Sequence, residues 1–184
     1  MTRNPLRIVG VDGGSVAAGR EGRTVLVAVL LEGSRIVDLR LGKVEIDGLD
    51  AGRTLLSLLK PLRFDVVMLS SVAFAGFNVV DIKRLARSIR KPVIAIIREK
   101  PNNTAVRIAL QKHFDDWSAR WKAVKDAGRI YSCKPVPDEP RIYFEVSGGS
   151  AALARRVIVS TACISRLPEP VRVAGAIARG LRGL

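Results

Sequence analysis

Residues 7–14, RIVGVDGG, decide how the rest of the chain is read. Ile8, Val9 and Val11 make a short apolar run that Asp12-Gly13-Gly14 closes. That pattern predicts a buried strand ending in a turn, with a carboxylate at its tip. Residues 24–32, TVLVAVLLE, are apolar and β-branched enough for a central strand. Glu32-Gly33-Ser34 then turns the chain into 35–46, RIVDLRLGKVEI, whose alternation marks a half-exposed strand. Short turns between three such strands predict an antiparallel start to the sheet. A dinucleotide-binding loop at Gly10–Gly14 is excluded, because the GxGxxG spacing and the helix that should follow it are both missing.

Beyond residue 46 the pattern changes. Asp50 is placed to cap a helix over 51–60, and 65–70 reads as a buried strand. The loop SSVAFAGFN (70–78) leads to Asn78 as the cap of a helix over 79–90, and 93–97, VIAII, is the next buried strand. Strand–helix–strand implies parallel strands and a right-handed crossover. Residues 103–127 read as two helices broken near Phe114-Asp115; Trp117 and Trp121, four apart, share a face that suits core packing better than base stacking. A hairpin with strands near 129–133 and 141–147, then helices over 150–162 and 170–182, complete the chain. Three antiparallel strands, a helix, then alternating strands and helices is the order of an RNase-H-like α/β domain. The expected architecture is a mixed sheet, three antiparallel strands followed by parallel ones, with helices on both faces, in one domain over 1–184.

Charge narrows the function. Lys and Arg number 31 against 17 Asp and Glu, a net +14, and a surface this basic attracts polyanions, nucleic acid first among them. Hydrophobic residues at 48% allow a sizeable core. No apolar run approaches the roughly 20 residues of a membrane span, and the N-terminus passes directly into a strand without a secretory pattern, so a cytoplasmic protein is expected. Cys133 and Cys163, with only His113 to help, do not make a zinc site and are expected to be buried thiols.

In an RNase-H-like domain, carboxylates on the first and neighbouring strands hold a hard divalent cation through oxygen, and Asp12 stands at the first-strand position. Asp47 and Asp50, in EIDGLDAG at the third strand's exit, are the candidates for a second ligand, each with a structural alternative as turn or cap residue. The fourth strand ends in Ser70 and Ser71, where no third carboxylate is available.

GFNVVDI (76–82), PVIAIIREKP (92–101) and RLPEPVRVAGAIARGL (166–181) closely resemble the archaeal endonuclease-V-like family, also called endonuclease dU, and the likeness covers nearly the whole chain. The family is a relative of endonuclease V, which nicks DNA near deaminated bases using magnesium. The resemblance therefore implies a Mg2+-dependent (Mn2+ possible) endonuclease acting on DNA, with RNA as a lesser option, at uracil or hypoxanthine. Asp12 would be the first metal carboxylate, and Asp47 or Asp50 the next acidic group, with Asp12 and Asp50 as the expected metal pair. Arg98 and Lys100 resemble the strand-end lysine of endonuclease V and would meet a phosphate. Phe74 and Phe77, flanking the Gly76 loop, would stack on an extruded base. This chain departs from the family pattern at Ser70 and Gly13, where aspartates are usual, and at Gly175, where a histidine often stands. Those departures motivate an alternative: a nucleic-acid-binding module that keeps the fold without the chemistry.

Overall fold

A computed structural model describes residues 5–14 and 21–181. Strands β1 (Arg7–Gly13), β2 (Arg23–Glu32) and β3 (Arg35–Glu45) form the expected antiparallel meander. Helix α1 (Ala51–Leu59) leads to β4 (Val66–Leu69), and helix α2 (Ile82–Ile89) to β7 (Val93–Ile97); β4 is parallel to both β1 and β7. A hairpin of β8 (Tyr131–Cys133) and β9 (Ile142–Ser147) extends the sheet, with β9 antiparallel to β7. The seven-stranded order is β3-β2-β1-β4-β7-β9-β8, so β1 lies between an antiparallel and a parallel neighbour. This is the mixed RNase-H-like sheet that the strand order predicted.

Alternation along the central strands sorts the core into two layers. Val9, Val11, Val67, Leu69, Val93 and Ala95 face α1 and α2. Ile8, Val66, Met68, Ile94 and Ile96 face α5 (Ala151–Thr161) and the start of α6 (Glu169–Gly180). Further along, α6 lays Ala174 and Ala178 on Val27, Val29 and Leu31 of β2. By the same two-residue period Gly10 and Asp12 belong to the α6 face. Position 10 must be glycine, because a Cβ there would sit 1.9 Å from the carbonyl oxygen of Pro170.

Three local expectations are corrected. The loop before α2 contains a small hairpin of β5 (Ala73–Phe74) and β6 (Asn78–Val79), so α2 begins at Ile82 with Asp81 as its cap, accepting from the Arg84 amide. Asn78 instead caps α1: its Oδ1 accepts from the Ala51 amide at 2.9 Å, and Asp50, in the cap position, makes no side-chain cap bond. Of the two thiols, Cys133 is buried but Cys163 is exposed, and neither is in a disulfide. Helices α3 (Asn103–His113) and α4 (Trp117–Asp126) break as expected at Phe114. Trp117 and Trp121 are only half-buried, and the residue α4 buries is Arg120. The expected end of the last helix at 182, with Gly183, lies outside the described residues.

Glu145 on β9 is 5% exposed beside Ala95, and burial alone pushes its carboxyl from an ordinary 4.5 up to about 7. The neutral form fits this site, so its benefit is complete below about pH 4.5 and is lost as pH rises through 7. Glu145→Gln keeps the shape without the charge. In denaturant melts it is expected to gain on the order of 2–3 kcal/mol over wild type at pH 8 and nothing at pH 4. An equal effect at both pH values would contradict the assignment.

Candidate functional site

Parallel β1, β4 and β7 end at one edge of the sheet, where ligands gather in open α/β folds. There Asp12 Oδ1 accepts two hydrogen bonds, from Ser70 Oγ at 2.5 Å and from the Gly13 amide at 2.8 Å. Ser70 follows the last residue of β4, and its amide donates to the Val11 carbonyl, which sets the hydroxyl beside Asp12. Oδ2 makes no hydrogen bond with a described residue. It faces α6 at Gly175, where an ideal Cβ would lie 2.5 Å from Oδ2 and 3.2 Å from an Arg179 guanidinium nitrogen. The Asp12 carboxylate thus already fills the space a side chain at position 175 would need, and Arg179 borders the same spot.

Asp47 and Asp50 belong to a different cluster, on the α1 side. Asp47, at φ +57°, accepts the Phe77 amide at 2.7 Å on Oδ1, while its own amide donates to the Ala75 carbonyl. Its Oδ1 would lie 2.1 Å from a Cβ on Gly76, so the glycine of the GFN loop is required by the carboxylate that clasps it. Asp50 accepts from Asn78 Nδ2 at 2.6 Å and from the Glu45 amide at 3.1 Å, and pairs loosely with Arg23 at 3.4 Å. Both carboxylates therefore tie the third strand's exit to the β5–β6 hairpin, and neither bonds to Asp12 or Ser70. Among the described residues, no three His, Cys, Asp or Glu side chains come together as a metal cluster.

Phe74 is 4% exposed, packed in the core on the α1 side, which leaves no face for a base. Phe77 is half-buried and meets Phe114 edge-on at 5.5 Å. Arg98 and Lys100 are exposed just past β7 and form no ion pair with described residues. In register, Asp12 aligns with Ser70 and then Ile96, so Arg98 begins about 12 Å from Asp12, within reach of a phosphate chain crossing this edge.

Sequence reasoning missed Arg120. It is 6% exposed and donates to the carbonyls of Phe77 at 2.7 Å and Gly48 at 3.0 Å, pairs with Asp116 at 2.7 Å, and stacks over Phe114 at 4.3 Å. A helical arginine reads as solvated, and nothing local marks carbonyls so distant in sequence as its partners. Arg120→Met would fill the space but leave both carbonyls without this donor. A loss of about 2–3 kcal/mol in urea unfolding is expected, with faster amide exchange at Phe77; unchanged stability would mean the hairpin holds itself.

Residues 4–182 match the family model described as endonuclease dU. A UPF0215 protein of Pyrococcus furiosus is 32% identical over 185 residues, covering 96% of this chain and 92% of its own length. One from Methanopyrus kandleri is 35% identical over 181 residues, covering 96% and 91%. Among solved structures, a protein of unknown function from Archaeoglobus fulgidus superimposes with a TM-score of 0.82 at 26% identity, over 94% of this chain and 96% of that one. Endonuclease V of Ciona intestinalis, solved with inosine-containing DNA, follows at 0.66 and 16% identity, over 95% and 85%; at that identity the likeness is one of fold.

Proposed function

The chain belongs to the endonuclease dU family, and on that footing we propose that it is a magnesium-dependent endonuclease that cuts DNA at or near a deaminated base, uracil or hypoxanthine. The observation that carries the reading is the state of Asp12, with one oxygen fixed by Ser70 and Gly13 and the other, beside Gly175, free of hydrogen bonds from the described residues. Magnesium keeps several waters and is bound by one or two carboxylates together with substrate phosphate, so a single well-oriented carboxylate fits it. When bound, the ion would supply positive charge to offset that developing on the phosphate.

The chain's own residues do the rest. Ser70 and the Gly13 amide hold Asp12 in one rotamer. Arg179 brings positive charge beside Asp12, and Arg98 and Lys100 extend it along the edge for the DNA backbone. Asp47 and Asp50 act by fixing the GFN hairpin beside this edge. DNA as the partner is supported by the +14 charge and by the Ciona enzyme's DNA complex.

The test is incubation with magnesium and duplexes carrying one uracil or one inosine. A nick near the base is expected; no cleavage above an undamaged control would refute the activity. The Ser70 hydroxyl favours a second reading, a DNA-binding module without cleavage, because it occupies the place of a second carboxylate. That reading expects affinity that falls steeply with salt, and no magnesium-dependent product.

Ser70→Asp separates the two further. Two carboxylates at hydrogen-bonding distance repel unless a cation lies between them. The variant is expected to melt lower than wild type in EDTA and to regain the loss in millimolar magnesium. A melting temperature indifferent to magnesium would place the ion elsewhere.

A further inference from the structure

At the opposite edge of the sheet, a cavity of about 660 Å³ opens between the C-terminal ends of α1 and α2 and the entry to β1. It lies on the α1 face. Its reference residue, Arg7, is five residues from Asp12 along β1, some 16 Å away with the sheet between. It is therefore no part of the Asp12 site.

Four cations line it: Arg7, Lys60, Arg63 and Lys91. The one carboxylate on the wall, Asp65, accepts the Arg7 backbone amide at 2.9 Å, and none of the four cations is within ion-pairing distance of a described acid. The negative end of the α1 dipole accounts for Lys60. It does not account for Arg7, whose Nε is buried and is the one buried side-chain polar atom without a hydrogen-bond partner among the described residues. Four cations without an ion-pair partner around one roomy cavity favour an anion there. The remaining wall is apolar, with Leu56, Leu62, Ile89 and the half-buried ring of Phe64. Cations and an aromatic ring lining one cavity match a phosphate joined to a flat ring.

We propose that this cavity is a nucleotide-binding site, with the phosphate on Arg7, Lys60, Arg63 and Lys91 and the base against Phe64. The same chemistry is offered by a free nucleoside monophosphate and by the 5′-terminal nucleotide of a single strand. The proposal stands independently of cleavage at Asp12.

Calorimetric titration of the full chain at low salt tests it, with adenosine 5′-monophosphate, adenosine and inorganic phosphate as probes. The monophosphate is expected to bind at one site, at least ~10-fold tighter than either fragment. Lys60→Ala/Arg63→Ala, at exposed positions, is expected to weaken it by ~10-fold or more with the melting temperature kept, whereas the charge-matched Arg107→Ala/Arg156→Ala stays within about 2-fold. Phe64→Leu is expected to weaken the nucleotide and leave phosphate unchanged. A 5′-phosphorylated hexanucleotide that displaces the monophosphate supports the strand end as ligand, and one that does not supports the free nucleotide. No heat up to about 5 mM, phosphate binding as tightly as nucleotide, or equal losses in both double variants would overturn the site.

Discussion

Asp12→Asn is expected to lower magnesium-dependent nicking by about three orders of magnitude, the consequence of removing roughly 4 kcal/mol of charge stabilisation from the reacting phosphate. The amide keeps an oxygen where Oδ1 accepts from Ser70 and Gly13, so the rotamer and the fold should persist. What is lost is the charge on the oxygen under Gly175. Affinity for an uncleaved duplex in EDTA should change less than about 3-fold, since Arg98, Lys100 and Arg179 remain. Nicking at the wild-type rate by this variant would show that the chemistry lies elsewhere in the chain.

Gly10→Ala is the second large effect, and it falls on stability. The added methyl would lie 1.9 Å from the oxygen and 2.1 Å from the carbon of the Pro170 carbonyl, both backbone atoms that no rotamer can move. Helix α6 must lift from β1, opening the layer that Val171, Ala174 and Ala178 close. The expected cost is at least about 3 kcal/mol, at the upper end for overpacking. Because α6 also carries Gly175 and Arg179 over Asp12, any folded fraction should nick poorly. Gly13→Ala is the control on the same strand: its methyl would meet Phe74 at 3.5 Å, ordinary contact, and should be nearly neutral in thermal melts. Similar losses for the two would contradict the packing described.

The contrast between these glycines shows what the sequence can and cannot disclose. RIVGVDGG announced a buried strand and a carboxylate at its end, since apolar run and turn are local signals. Nothing local distinguished Gly10, pressed by Pro170, from Gly13, which has room. Its place in the sequence makes Asn78 the cap of the helix that follows it, whereas it caps α1, 27 residues back, because the intervening hairpin turns its side chain toward Ala51. Proximity in sequence likewise offers Asp50 as the α1 cap, where proximity in space decides otherwise. Its oxygens instead serve Asn78 and the Glu45 amide.

The candidate site divides along the same line. Asp12 was legible from strand order, and the resemblance pointed to Ser70 and Gly175 as departures without saying that both touch it. The structure makes them its immediate surroundings, one as hydrogen-bond donor and one as a position whose missing side chain makes room for Oδ2. Asp47 and Asp50 were plausible ligands while only acidity and spacing were known; their hydrogen bonds show what else they do.

The most direct measurement is an anomalous difference map from a crystal of the wild-type protein soaked in Mn2+. A peak at coordination distance from Asp12 Oδ2 is the expected result. A map with no peak there at saturating Mn2+, or with its peak at Asp47 or Asp50 instead, would contradict the assignment of Asp12 as the metal carboxylate.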